Sequence, residues 1–147
     1  CENLKKIYPN VGMIFCLPEI GDIEYFKIIN KRKEEKKLEN NFLFHTKPGQ
    51  LYPIIQKSDI FVRPTNTDGY GVSLAEAIHF NIPAVASDVC PRAEGTILFK
   101  NRNFDDFTLK VKYVLQNYER LKIGLEEIKP PDYAKEILRI YTKTLKN

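Results

Sequence analysis

The stretch Asp59-Ile-Phe-Val-Arg-Pro-Thr-Asn-Thr-Asp-Gly-Tyr-Gly-Val-Ser-Leu-Ala-Glu-Ala-Ile-His-Phe-Asn-Ile-Pro-Ala-Val-Ala-Ser-Asp88 decides how this chain folds. Asp59 to Val62 reads as a strand, and Arg63 to Gly71, with Pro64, Gly69 and Gly71, reads as a loop. Val72 to Phe80 sets Leu74, Ala77 and Ile78 on one helical face, and Asn81 can end that helix in a left-handed cap. Ile82 to Ser87 is an apolar strand. Strand, loop, helix and buried strand in this order form one parallel crossover unit.

The same alternation extends both ways. Upstream, Glu2 to Tyr8 reads as a helix tail, Val11 to Leu17 as a strand, and Asp22 as the cap of a helix with Ile23, Phe26 and Ile29 on one face. The charged run Lys31 to Lys37 reads as that helix's solvated end, Asn41 to His45 as a strand, and Gln50 to Lys57 as a short helix with Pro53 in its first turn. Downstream, Thr96 to Phe99 reads as a fifth strand and Asn103 as the cap of a helix over Phe104 to Gln116. Helices over Glu119 to Ile128, closed by Pro130 and Pro131, and over Tyr133 to Leu145, capped by Asp132, complete the chain. Apolar strands alternating with helices imply a doubly wound, Rossmann-like α/β domain, a parallel sheet flanked by helices. Ligands of such sheets sit beyond the carboxyl ends of the strands, so the loops Pro18 to Gly21, Thr46 to Gly49, Arg63 to Gly71 and Ser87 to Gly95 are the informative ones.

The chain's 147 residues make one ordinary domain and are too few for two nucleotide-binding folds with a cleft between them. At 43% apolar and 29% charged residues the composition is that of a globular core, which excludes bulk disorder. The 23 Lys plus Arg and 19 Asp plus Glu are interspersed, so the net charge of +4 argues poorly for a nucleic-acid track. Cys1, Cys16 and Cys90 show no zinc or disulfide spacing and fit a reducing, cytoplasmic setting. The longest apolar runs, Met13 to Pro18 and Ile82 to Ala86, fall far short of the roughly 20 residues of a membrane-spanning helix. Because the chain opens at Cys1 in helix-like sequence, it is expected to be a fragment of something longer.

Two glycines before a helix start let backbone approach an anion. The free N–H groups of Gly71, Val72 and Ser73, with the helix dipole behind them, would bind a phosphate without a basic side chain. Asp68 and Glu76, with seven residues between them, can face one crevice and accept hydrogen bonds from sugar hydroxyls. Each piece also has a plain explanation: Asp68-Gly69 as a turn, Gly71 as a tight corner, Glu76 as an exposed helix residue.

As a whole, Asp59 to Asp88 resembles the nucleotide-sugar half of retaining glycosyltransferases of the family 4 type, in which two acids flank seven residues before a small-residue helix, a Pro-apolar strand and a Ser/Thr-Asp turn. A weaker likeness spans nearly the whole chain. It implies the C-terminal, donor-binding half of a two-domain GT-B glycosyltransferase, with residues 1–147 as a single nucleotide-sugar-binding domain. The first strand and the N-terminal acceptor domain would be missing, and the isolated chain inactive. By this resemblance Glu76 holds the donor ribose, Asp68 lies near the donor sugar, and Gly69, Tyr70, Gly71, Val72 and Ser73 contact sugar and diphosphate. Thr65, His45 and Arg92 join them as donor-binding candidates, the loop after His45 forming the wall for the base. The implied donor is a nucleoside diphosphate sugar, without a cofactor or metal. The acceptor is a glycan or lipid-linked molecule in polysaccharide or glycoconjugate synthesis, and no nucleic acid is involved.

The chain departs from the family pattern in three places. The first acid is Asp68 where Glu is usual, no strand precedes Cys1 to supply the usual diphosphate-binding Arg and Lys, and Cys90-Pro-Arg-Ala-Glu-Gly95 replaces a Gly pair and Glu. Arg92 is read either as a substitute phosphate contact or, more simply, as a solvent-exposed turn residue; Cys90, with no His nearby in sequence, is a poor nucleophile. Lys135, Arg139, Lys143 and Lys146 raise peripheral association of the full-length protein with the inner face of a membrane, against ordinary helix solvation. The alternatives are a nucleotide-sugar 2-epimerase of the same fold and a non-catalytic nucleotide-binding module.

Overall fold

A computed structural model describes residues 1–17, 19–129 and 132–145. Pro18, Pro130, Pro131 and Lys146, all invoked above, lie outside the described residues. The chain divides into two compact units, Cys1–Pro53 and Ile54–Asn147. In the first unit, helix α1 (Glu2–Lys5) precedes strand β1 (Met13–Cys16), helix α2 (Ile23–Glu35), a 3-10 turn (Glu39–Asn41) and strand β2 (Phe42–His45). Helix α3 (Tyr52–Ile55) straddles the division. The second unit holds β3 (Phe61–Arg63), α4 (Val72–His79), β4 (Ala84–Ser87), β5 (Ile97–Phe99), α5 (Phe104–Gln116), α6 (Tyr118–Glu126) and α7 (Tyr133–Thr144).

All strand pairs are parallel, as the crossovers require. β1 pairs with β2 in the register Met13 to Phe42 through Cys16 to His45, and β4 lies between β3 and β5 in a three-stranded sheet. The molecule is thus an α/β protein of parallel sheets flanked by helices, its ladders forming a two-stranded and a three-stranded sheet.

In the second unit the central strand β4 is buried over its whole length, as a parallel strand covered on both faces must be. Leu74, Ala77 and Ile78 of α4, Val111 and Val114 of α5, and Leu125 of α6 are buried as well. The Phe99 and Phe107 rings meet edge to face at 5.1 Å, which joins α5 to β5. The first unit is more open than a doubly covered sheet would be. α2 covers one face through Phe26, whose ring lies 4.7 Å from that of Phe44, while Ile14 and Leu43, register partners, stay exposed.

Local chemistry sets the helix ends. Asp22, Asn103 and Asp132 accept from the backbone N–H groups of Tyr25, Asp106 and Lys135, so the three expected N-caps form. Asn81 is left-handed at φ 57° and ends α4. The run Lys31 to Lys37 is the solvated end of α2, which continues to Glu35 before Lys37 turns left-handed. α7 has no buried residue: Ile137, Ile140 and Tyr141 are exposed beside Lys135, Arg139 and Lys143.

Candidate functional site

The loop between β3 and α4, Pro64 to Gly71, lies at the carboxyl end of β3, the ligand edge of a parallel sheet. Gly71 is the N-cap of α4 at φ 78°, a left-handed conformation that side chains rarely adopt, and a Cβ there would stand 3.0 Å from Leu74 Cδ1 and 3.1 Å from Arg92 Nη1. No side chain caps α4, so the N–H groups of its first turn, those of Val72 and Ser73, are left to a ligand or water.

Asp68 sits in a cage of donors. Arg63 grips it from the end of β3 in the forked geometry of a guanidinium and a carboxylate, Nε on Oδ2 and Nη2 on Oδ1 at 2.9 Å. Arg92 Nη1 reaches Oδ2 at 2.8 Å, Thr65 Oγ1 donates to Oδ2 at 3.1 Å, and the Gly69 N–H donates to Oδ1 at 3.0 Å. These five bonds exceed the roughly four lone-pair positions of a carboxylate. The Asp68 side chain is 11% exposed, and the hydrogen bonds from Arg63 first and Arg92 second hold its pKa well below the usual carboxylate range.

The two acids differ in their bonding. Asp68 is spent on internal bonds, whereas the exposed Glu76 carboxylate has no partner among the described residues. Asp68 lacks the extra methylene of Glu and closes on the arginines of its own loop and the following turn. Arg92 also departs from both sequence readings: its side chain is 1% exposed, and its five donor hydrogens all meet acceptors within the chain. An arginine so placed is neither a solvent-exposed turn residue nor presented to a phosphate.

Arg63 is the residue that the sequence reading passed over by assigning it to the loop. It ends β3, is 33% exposed, and donates from Nη1 to Ser73 Oγ at 3.2 Å. The uncapped end of α4 thus has a guanidinium beside it. Two arginines on one aspartate also leave the cluster with surplus positive charge. The available signal was a cation five residues before Asp68, at the last position of a strand.

The remaining candidates are placed as follows. Tyr70 and Val72 are exposed at the loop tip and the start of α4, and Thr65 Oγ1 is shared between Asp68 and Arg92. Cys90 donates its thiol to the Gly69 carbonyl at 2.8 Å. His45 belongs to the other unit, half-buried at the end of β2 opposite Cys16. Within the second unit, a shallow open depression lies between Pro64 and Asn66 on one side and Arg102, Phe104 and Phe107 on the other. Among the described residues no cluster of three His, Cys, Asp or Glu could hold a metal ion.

The sequence pattern of the glycosyl transferases group 1 matches residues 2–124, most of the chain. The protein belongs to this glycosyltransferase family. Among solved structures, the C-terminal domain of a glycosyl transferase group 1 family protein, LpcC, from Francisella tularensis is similar at a TM-score of 0.69 and 15% identity, covering 86% of this chain and 69% of that one. At that identity the likeness carries the fold, that of the C-terminal domain of a GT-B enzyme. No curated protein matches the chain. No described helix is long and apolar enough to cross a membrane.

Proposed function

We propose that residues 1–147 act as the donor-binding domain of a retaining, family 4 type glycosyltransferase, which moves a sugar from a nucleoside diphosphate sugar to a glycan or lipid-linked acceptor held by an N-terminal half. The observation that carries this reading is the uncapped start of α4 with Arg63 hydrogen-bonded to Ser73 and the unpartnered Glu76 one turn inside the helix. The N–H groups of Val72 and Ser73, the helix dipole and the Arg63 guanidinium together favour the negative charge that grows on a departing diphosphate. That charge stabilisation supports a donor site that works without a resident metal. Glu76, an acceptor-only group, suits the ribose hydroxyls. Asp68 contributes by shaping the loop that carries Gly69 and Gly71.

Peripheral membrane association of the full-length protein, at the cytoplasmic face, belongs to the same proposal. It is supported by α7, where exposed Ile137, Ile140 and Tyr141 accompany Lys135, Arg139 and Lys143. The test is turnover by the full-length protein with a panel of sugar-labelled nucleoside diphosphate sugars and a membrane extract as acceptor source. Release of nucleoside diphosphate with transfer of label into lipid or glycan is expected, reduced at least about tenfold in Glu76→Ala, the loss of one charged hydrogen-bond acceptor. Absence of nucleotide release from every donor contradicts the proposal.

A further inference from the structure

We infer that Arg92 is a positioning residue for the donor loop, holding Pro64–Gly71 and the start of α4 in the form that receives a nucleotide. The inference rests on the donor-site reading above. The loop has neither helix nor strand hydrogen bonds of its own, so side chains must order it. Arg92 supplies three of those bonds, beside two from Arg63 and one each from Ser87 and Cys90. Nε donates to the Ser87 carbonyl at 3.2 Å and Nη2 to Ser87 Oγ at 3.3 Å, which anchors the guanidinium to the buried end of β4. From that anchor Nη2 reaches Thr65 Oγ1 at 3.3 Å, near the beginning of the loop, and Nη1 reaches Asp68 Oδ2 at 2.8 Å and the Gly69 carbonyl at 3.1 Å, near its end. Ser87 Oγ completes the tie by donating to the Thr65 carbonyl at 2.6 Å. One planar fork with five donors thus fastens both limbs of the loop to the central strand, which a lysine ammonium with three donors on a point cannot do.

The consequence is specific. Removing Arg92 takes away no group that touches the nucleotide, yet it frees the loop, and ordering that loop then opposes binding. The experiment is amide hydrogen exchange on the protein with Arg92→Lys and Arg92→Met, together with titration by UDP, GDP and ADP. In Arg92→Lys, the hydrogen-bonded amides of Gly69 and Leu74, at the end of the loop and the start of α4, are expected to exchange at least about tenfold faster while those of β4 and α5 keep their wild-type protection. The affinity for whichever nucleotide binds the wild type should fall by a similar factor. Arg92→Lys keeps the charge and so remains informative where Arg92→Met does not fold. Unchanged exchange at Gly69 and Leu74 overturns the inference, as does acceleration spread equally over β4 and α5, or faster loop exchange with unaltered affinity. If no nucleotide binds the wild type, the donor reading fails, and the exchange pattern alone still decides whether Arg92 orders the loop.

Discussion

Asp68→Ala is expected to destabilise the protein by about 3–5 kcal/mol, the cost of removing one partner from a buried ion pair. Melting temperature should fall by roughly 10–20 °C for a domain of this size. The reason is the nearly buried Arg92 guanidinium, 1% exposed, which would keep its charge and lose its anion, while Arg63 would lose both arms of its fork. Asp68→Asn keeps the shape and one carbonyl acceptor and should cost less. Because the folded-state pKa of Asp68 is depressed, its contribution is complete above the unfolded value of about 3.9 and is lost as pH falls below it toward the folded value. The stability gap between wild type and Asp68→Asn, followed by denaturant melts, should therefore be constant from neutrality to about pH 5 and shrink steadily below it. A gap that is small at neutral pH, or that grows on acidification, would show that the cage is not what holds the loop.

Gly95→Ala is the second large effect, about 2–5 kcal/mol. Gly95 turns the chain ahead of β5 at φ 84°, where an L side chain is strained by about 1–2 kcal/mol. The added Cβ would also stand 2.5 Å from Ile128 Cδ1 and 2.9 Å from Leu125 Cδ2. Leu125 is buried and has little room to yield, which adds roughly 1–3 kcal/mol of overpacking. Gly124→Ala makes the contrast: its Cβ meets nothing within 4 Å, and it lies inside α6, where Ala is favoured by up to about 1 kcal/mol. Chemical denaturation of the two variants should give opposite signs, and a neutral Gly95→Ala would mean that α6 does not close on this turn as described.

The pattern of what could be read in the sequence has physical causes. α5 runs from Phe104 to Gln116 as expected because its cap Asn103 and its apolar spacing are local signals. β3 begins at Phe61 and not at Asp59, because a three-residue strand extends only where a neighbour pairs with it, and Phe61 opposite Ala84 is the first such position. The motif Asp68 to Glu76 was visible as a spacing, but the fate of its first acid was not. That depended on Arg92, 24 residues away in sequence, which no local pattern links to Asp68. Arg63 escaped notice for a similar reason, since its importance lies in the partner it finds and in the helix end it stands beside.

The measurement that bears most directly on the donor-site account is thermal melting of the full-length protein with millimolar UDP, GDP, ADP and CMP, wild type against Glu76→Ala. A nucleotide at about 100 times its dissociation constant adds roughly 2.7 kcal/mol of stability, a shift of several degrees. The account predicts that one nucleoside diphosphate raises the melting temperature of the wild type and that this shift largely disappears in Glu76→Ala, whose unliganded melting is unchanged. Equal shifts in both proteins, or none with any nucleotide, would contradict it.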